Sequence, residues 1–154
     1  MKKAVLFSIV LVMVSACASS DSSWSIGLAK EEGNPVIYKY VSVLPDEEIR
    51  QSMPWLTVVS WEYDGSANNG MPASKTNNKM VALEEALAMI EGKGELYRSV
   101  YSTTGNNRKA FAFYVVDRDA FMEKFNLALK GHPAYPLSID FYNDPQWEEM
   151  ARFH

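Results

Sequence analysis

The sequence predicts one α+β domain behind a short N-terminal leader. The chain has 154 residues, of which 47% are hydrophobic and 22% charged, enough for a single domain with its own core. Short runs rich in β-branched and aromatic residues alternate with two stretches of helical periodicity. The first run is a predicted hairpin, with strands over Ser25–Lys30 and Val36–Val43 and a turn over Glu32–Pro35.

The middle of the chain begins with a short helix at Pro45–Glu48, where proline and acidic residues suit a helix N-terminus. Trp55–Tyr63 follows as a strand because it is rich in aromatic and β-branched residues. The clearest helix comes next and ends at Gly92. Its apolar stripe at helical spacing consists of Met80, Leu83, Leu87 and Ile90.

The last third of the chain again alternates predicted strands with a predicted helix. Strands are predicted over Leu96–Thr103 and Lys109–Val116, joined by a turn at Thr104–Asn107. Asp117 is the expected N-cap of a helix that Gly131 ends. A strand over Leu137–Tyr142 follows, and Asp144-Pro145 is expected to open a terminal helical turn.

From Trp55 onward the order is strand, helix, strand, strand, helix, strand. Two right-handed crossovers in this order predict a ferredoxin-like βαββαβ antiparallel sheet with helices on one face, preceded by the N-terminal β-hairpin. Phe111, Phe113 and Val115 alternate along their strand, so we expect them to face the helices as core.

The leader has the layout of an export signal. Lys2 and Lys3 precede the apolar run Ala4–Val14, which is short for a membrane span. The run ends in Val14-Ser15-Ala16-Cys17, which resembles the lipobox of bacterial lipoproteins and implies a lipid on Cys17, the single cysteine of the chain. The alternative is an ordinary secretory signal in which Cys17 is incidental.

The lipobox divides the chain into a signal peptide (1–16), a lipidated tether (17–23) and one domain (24–154). Loss of Lys2 and Lys3 with the signal peptide changes the formal net charge from −4 to −6. The residue after Cys17 is Ala18 rather than aspartate, which resembles the outer-membrane sorting pattern. The expected location is therefore the periplasmic face of the outer membrane, with the lipid as membrane anchor.

Several function classes have little support in this sequence. The acidic charge argues against nucleic acid, although Lys109–Val115 resembles the aromatic signature of RNA-recognition motifs. The loop that starts at Asp64 resembles a calcium loop but has Asn69 and Lys75 where glycine and glutamate are needed. No motif of nucleophilic catalysis is present. We expect no metal, no cofactor and no catalytic residue.

Aromatic residues supply candidates for a binding surface. Tyr97 and Tyr101 are spaced to share one face of their strand, and Tyr142 shares a face with Ser138 and Asp140. If these tyrosines lie on the sheet face away from the helices, they form a surface of the composition favoured at interfaces. The alternative is that the hairpin, the Trp24 segment or the terminal helix covers this face.

Short motifs resemble the uncharacterised bacterial family catalogued as domain of unknown function 695. They are Trp24, Gly70-Met71-Pro72, Leu83-Glu84 with Leu87, and Asp144-Pro145 with Trp147. The resemblance implies no catalytic residues, since none are established for the family. Some members are joined to a domain like the ribonuclease E inhibitory regulator, itself ferredoxin-like. Gly70, Met71 and Pro72 are candidate binding residues, with a purely structural role as the alternative.

These observations predict a non-enzymatic envelope lipoprotein that binds an envelope protein or glycan through its sheet face or its Gly70–Ser74 loop. The alternative is a small hydrolase that acts on envelope material through Asp140, Asp144 or Glu84, which requires at least two carboxylates to converge in a pocket. The oligomeric state stays open, self-association included.

Overall fold

The computed structural model describes residues 23–154. The predicted signal peptide, the lipidation site Cys17 and the tether up to residue 22 lie outside the described residues. Within residues 23–154, no helix is long and apolar enough to span a membrane. The strands are β1 (Trp24–Glu31), β2 (Asn34–Val41), β3 (Trp55–Glu62), β4 (Tyr97–Gly105), β5 (Arg108–Val115) and β6 (Leu137–Asn143). The α-helices are α1 (Glu47–Ser52), α2 (Ser74–Glu91) and α3 (Arg118–Ala128), and 3₁₀ helices span Ser66–Asn68 and Glu148–Phe153.

The six strands form one antiparallel sheet in the order β1-β2-β4-β5-β3-β6. The mixed α/β architecture predicted from the sequence is confirmed, and the N-terminal hairpin joins the sheet beside β4. Two-residue turns close both hairpins, at Glu32-Gly33 and Asn106-Asn107, with positive φ at each residue. These are the turns whose twist matches that of paired strands.

One glycine fixes how the two hairpins pack. Gly105, at the end of β4, has a φ of 141°, and a Cβ atom there would lie 2.2 Å from the carbonyl oxygen of Pro35 in β2. Only glycine lets the two backbones approach this closely. The turn ends of the two hairpins therefore lie side by side.

Strand β5 is buried on both faces of the sheet. Phe111, Phe113 and Val115 pack against α2 and α3, which confirms that they are core facing these helices. Ala112 and Tyr114 belong to a second core on the opposite face. A central strand with two apolar faces requires a cover on each side.

The second face of the sheet is covered too, and the terminal helix, which the sequence offered as the alternative cover of this face, is part of that cover. α1 and the C-terminal 3₁₀ helix pack there, through residues such as Ile49, Met53 and Met150. The expectation of helices on one face only is therefore wrong. The physical reason is that β3, β4 and β5 also present apolar side chains to this side, among them Leu56, Val100 and Tyr114.

Trp147 is the centre of this second core. Its side chain is 2% exposed and stacks on the ring of Tyr114, with centroids 3.9 Å apart and planes 6° from parallel. The indole Nε1–H donates to the carbonyl oxygens of Arg50 and Met53, at 3.1 and 3.0 Å. One side chain thus joins the C-terminal segment, α1 and the sheet.

The terminal helix starts later than the sequence predicts. Trp147 occupies the N-cap position, and the carboxylate of Asp144 accepts from the backbone N–H groups of Glu148 and Glu149 at 2.8 and 3.1 Å. The helix begins at Glu148 rather than at Pro145, since Trp147 takes a left-handed conformation to enter the core. The same carboxylate accepts from the Tyr114 hydroxyl at 2.5 Å.

We expect Trp147→Ala to lower the free energy of unfolding by about 3–5 kcal/mol, because it opens a large cavity in the second core. Trp147→Phe should cost about 1–3 kcal/mol, because the carbonyls of Arg50 and Met53 lose their donor. Urea denaturation followed by circular dichroism measures both values. Trp24→Ala is the control, since Trp24 is 39% exposed on the edge strand. An equal loss in the control would contradict the role given to Trp147.

Candidate functional site

A groove of about 230 Å³ lies between α2 and strands β2, β4 and β5, on the face covered by the long helices. It exists because the hairpin β1–β2 extends the sheet beyond the edge of α2. Apolar side chains and hydroxyl or charged groups both line it. The residues that line it include Trp24, Lys39, Glu84, Glu91, Ser99, Ser102, Phe111 and Phe113.

Charged groups are concentrated at the rim of the groove. Lys39 Nζ lies 3.1 Å from Glu84 Oε1 and 5.0 Å from the centroid of the Trp24 ring. Lys109 Nζ lies 4.0 Å from Glu84 Oε2. Glu84 is therefore shared by two lysines, and the three side chains together carry one excess positive charge.

Lys109 is the most buried of these three groups, with 11% of its side chain exposed. Its ammonium donates to Thr104 Oγ1 at 2.9 Å and lies 4.8 Å from the centroid of the Phe111 ring. Burial lowers the pKa of Lys109 below its ordinary value of 10.5, and Glu84 opposes part of that shift. Such an ammonium is pre-positioned toward a negative charge but is poorly solvated by water.

Glu91 has a structural function at the closed end of the groove. Its carboxylate accepts from the backbone N–H of Ser99 at 2.7 Å and from the Ser99 hydroxyl at 2.9 Å. These bonds tie the last turn of α2 to β4. Tyr97 strengthens the same junction by donating its hydroxyl to the Leu87 carbonyl at 3.0 Å.

The prediction that Tyr97 and Tyr101 share a sheet face is wrong. Ser99 pairs with Phe113 and Tyr101 pairs with Ala112, so Val100 is an extra residue that forms a β-bulge. A bulge breaks the alternation of side chains along a strand. Tyr97 consequently faces α2 and α3, whereas Tyr101 lies in the core on the opposite side.

Both tyrosines are buried, although Tyr101 is among the residues that line the groove. Tyr101 is 6% exposed and is covered by the C-terminal 3₁₀ helix, where its hydroxyl donates to Glu149 Oε1 at 3.0 Å. Burial raises the pKa of Tyr97 and of Tyr101, and a nearby carboxylate adds to each shift. Tyr142 differs, since it is 52% exposed on the edge strand β6. A binding role for Tyr142 stays a prediction.

Gly70, Met71 and Pro72 lie in a loop that is held against the β4–β5 turn. The Gly70 carbonyl accepts from the Tyr63 hydroxyl and from the Asn107 backbone N–H, both at 2.9 Å. Gly70 and Pro72 are buried and Met71 is half-buried. These contacts account for Gly70 and Pro72 as structural residues, whereas a binding role for the three stays a prediction.

The acidic residues considered for hydrolysis do not form one group. Glu84 is bound to Lys39 on the α2 side of the sheet, whereas Asp144 is bound to Tyr114 on the other side. Asp140 is exposed on β6, opposite Val58 of β3. Within residues 23–154, no three histidine, cysteine or acidic side chains are grouped so that they could hold a metal ion.

Sequence reasoning did not identify Lys39 and Lys109 as site residues. A signal for Lys39 was present, because it interrupts the otherwise apolar run Val36–Val41. Lys109 stands directly before the apolar run Ala110–Val115. Their contacts with Glu84 could be predicted only from the order of the strands in the sheet. That order depends on pairs of residues far apart in the chain, such as Val36 with Gly105 and Trp55 with Asn143.

We expect Gly70→Ala to destabilise the fold more than Gly131→Ala. Both glycines have a positive φ, of 80° and 87°, so each substitution should cost about 1–2 kcal/mol in backbone strain. A Cβ atom on Gly70 would also lie 3.0 Å from the backbone of Asn106, whereas one on Gly131 would meet nothing within 4 Å. Thermal denaturation of the two variants measures the difference. Equal losses would mean that the loop does not depend on close packing at Gly70.

Comparison with known proteins agrees with the family resemblance seen in the sequence. No curated protein matches the chain, and no solved structure matches it. The family described as Family of unknown function (DUF695) matches residues 22–153, which include every strand and helix described above. The chain therefore belongs to this family of unknown function.

Proposed function

We propose that the protein is a non-enzymatic binding module of the bacterial cell envelope, whose ligand occupies the groove between α2 and the hairpin. The observation that carries the proposal is the charged rim beside an exposed aromatic ring, formed by Lys39, Glu84 and Trp24. Binding sites combine apolar walls with a few converging polar groups. The groove has this character, with Phe111 and Phe113 as apolar walls.

The ligand class that fits is an envelope protein or glycan. The Trp24 ring offers a flat apolar surface at the rim, and Lys39 and Glu84 offer one donor and one acceptor beside it. Sugars and peptide segments both combine apolar faces with hydrogen-bonding groups. The dispersed positions of Glu84, Asp140 and Asp144 favour binding over carboxylate-dependent hydrolysis.

The groove also has an architectural basis. We propose that β3, α2, β4, β5, α3 and β6 are a ferredoxin-like unit to which the hairpin has been added. The order β4-β5-β3-β6 within the sheet supports this relation. In such a unit two helices cover four strands, so added strands extend past the helices. β1 and β2 do so here, which leaves room for a ligand beside α2.

We also propose that a lipid on Cys17 anchors the domain to a membrane. The leader and the lipobox-like Val14–Cys17 segment support a lipid anchor on Cys17, and Ala18 supports sorting to the periplasmic face of the outer membrane. The tether before Trp24 is small and polar, in the sequence ASSDSS. Such a composition suits a flexible spacer between a membrane and a folded domain.

The groove is tested by site-specific photocrosslinking in cells. A photoreactive amino acid in place of Ala88, which lines the groove on α2, should capture a discrete envelope component. The same residue in place of Leu127, which is 62% exposed on α3, is the control position. Protease or glycosidase treatment of the adduct then separates a protein ligand from a glycan.

The second arm of this experiment adds Trp24→Ala to the Ala88 position. We expect the adduct to fall several-fold, because an aromatic contact contributes about 0.5–1.5 kcal/mol beyond its buried area. The domain should stay folded, since Trp24 is partly exposed. No adduct at Ala88, or an equal one at Leu127, would overturn the groove as binding site.

The lipid anchor has its own test. Cys17→Ser should abolish incorporation of a labelled fatty acid and release the protein from the membrane fraction, because no other cysteine is present to accept the lipid. The control is Ser19→Ala in the tether, which should leave labelling unchanged. Labelling that persists in Cys17→Ser would refute the lipoprotein assignment.

A further inference from the structure

The outer edge of β1 is an open strand edge. Within residues 23–154, β1 pairs with β2 on one side and with no strand on the other. Two large apolar side chains on this edge strand are mostly exposed, Ile26 at 73% and Leu28 at 80%. An exposed apolar edge strand is a template for pairing with another strand.

Alternate residues of β1 direct their backbone N–H and C=O groups toward β2 and away from it. The Ser42 N–H donates to the Ser23 carbonyl at 2.8 Å, and Glu31 is paired with Asn34 across the two-residue turn. The odd-numbered residues of β1 therefore exchange hydrogen bonds with β2, and the even-numbered residues direct their N–H and C=O groups outward. The same even-numbered positions carry the side chains Trp24, Ile26, Leu28 and Lys30.

The opposite edge of the sheet is protected in a way that β1 is not. Asp140 lies at the middle of β6, and a charge at that position opposes pairing of like strands. The middle of β1 is Ile26-Gly27-Leu28, which has no charge. Lys30 and Glu31 stand at one end of the strand only.

We propose that β1 pairs with β1 of a second copy of this chain, antiparallel and centred on Gly27, to form a twofold dimer with a continuous sheet. In this register Ile26 lies opposite Leu28 of the partner subunit, and Trp24 lies opposite Lys30 of the partner subunit. The first pair is apolar and the second places a cation beside an indole ring. The strand is thus its own complement, as a twofold interface requires.

The charges select this arrangement over the parallel one. A parallel pair in register would place Lys30 beside Lys30 of the partner subunit, and like charges that face each other are destabilising. The antiparallel pair moves Lys30 and Glu31 to opposite ends of the interface. Ser25, Gly27 and Ala29 are small, so the other face of the paired strands presents no bulk to obstruct the approach.

The dimer also bears on the groove. Trp24 lines the groove and pairs with Lys30 of the partner subunit, so each groove gains a further lysine at its rim in addition to Lys39 and Lys109. Dimer formation and ligand binding are nonetheless separate properties. The molar mass in solution and the disulfide crosslink between two copies report dimer formation. The photoadduct at Ala88 reports ligand binding.

Disulfide crosslinking tests the register. In the full chain carrying Cys17→Ser, Gly27→Cys is the only cysteine, and the new Cβ atom would lie 3.8 Å from Tyr40 Cε1, an ordinary contact. Residues at a non-hydrogen-bonded pair have Cα atoms about 4.5 Å apart, within disulfide reach. Mild oxidation should therefore give a covalent dimer on a non-reducing gel.

Two neighbouring positions serve as matched controls. Ser25→Cys alone and Ala29→Cys alone should crosslink poorly, since identical positions would be roughly 14 Å apart in this register. A mixture of the two variants should crosslink well, because Ser25 lies opposite Ala29 of the partner subunit. Equal crosslinking of all single variants, or none at Gly27→Cys, would overturn the proposed pairing.

Light scattering of the full chain in detergent tests the dimer without a crosslink. The unmodified chain should show twice the chain mass, and the double variant Ile26→Lys with Leu28→Lys should show the monomer mass. Leu127→Lys, which also changes an exposed leucine, should leave the dimer intact. A monomer mass for the unmodified chain at all concentrations would overturn the proposal. The proposal would also fail if β1 paired with a strand of another protein and not with a second copy of this chain.

Discussion

The structure depends on the burial of β5 from both sides. This strand is central in the sheet and apolar at every position from Ala110 to Val115, so neither face can remain in water. α2 and α3 cover one side and the C-terminal 3₁₀ helix with α1 covers the other. Most of the remaining arrangement follows from this requirement. Trp147 enters the second core with a left-handed backbone because that core needs a large ring against Tyr114.

The hairpin is the part of the domain that this requirement does not fix. Lys39 of β2 still contacts Glu84 of α2, whereas Ile26 and Leu28 of β1 lie beyond the reach of α2 and are therefore exposed. A groove remains beside Lys39 and Glu84. The two cores draw residues from β2 to β6, whereas the two open features, the groove and the β1 edge, lie at the hairpin end of the sheet.

Local sequence patterns were sufficient for most of the elements. Alternation, turn residues and helical periodicity identified the hairpin, α2, α3 and the strands, because each of these signals arises from neighbours within one element. The faces of Tyr97 and Tyr101 were wrong because one extra residue, Val100, reverses the alternation, and a bulge leaves no mark in residue type. The position of the C-terminal helix was wrong by a few residues, since Trp147 is placed by the core rather than by local preference.

The candidate site was less predictable than the fold for a related reason. Lys39, Glu84 and Lys109 come from β2, α2 and β5, and only the strand order brings them together. Gly70 was recognised as a conformational residue, but its partners Asn106 and Tyr63 follow from the docking of two loops. The pattern of residues in a single sequence contains little information on contacts between residues that are far apart in the chain.

The position of Trp147 in the chain also sets an order of assembly. Part of the cover of the second core, the C-terminal 3₁₀ helix with Trp147, follows all six strands in the sequence, so synthesis from the N-terminus delivers the sheet before this part of its cover. Until Trp147 and Met150 arrive, α1 is the helix that covers this face, and Tyr114 lacks the ring that stacks on it. The nascent sheet therefore keeps an incompletely covered apolar face until the last helix has been synthesised.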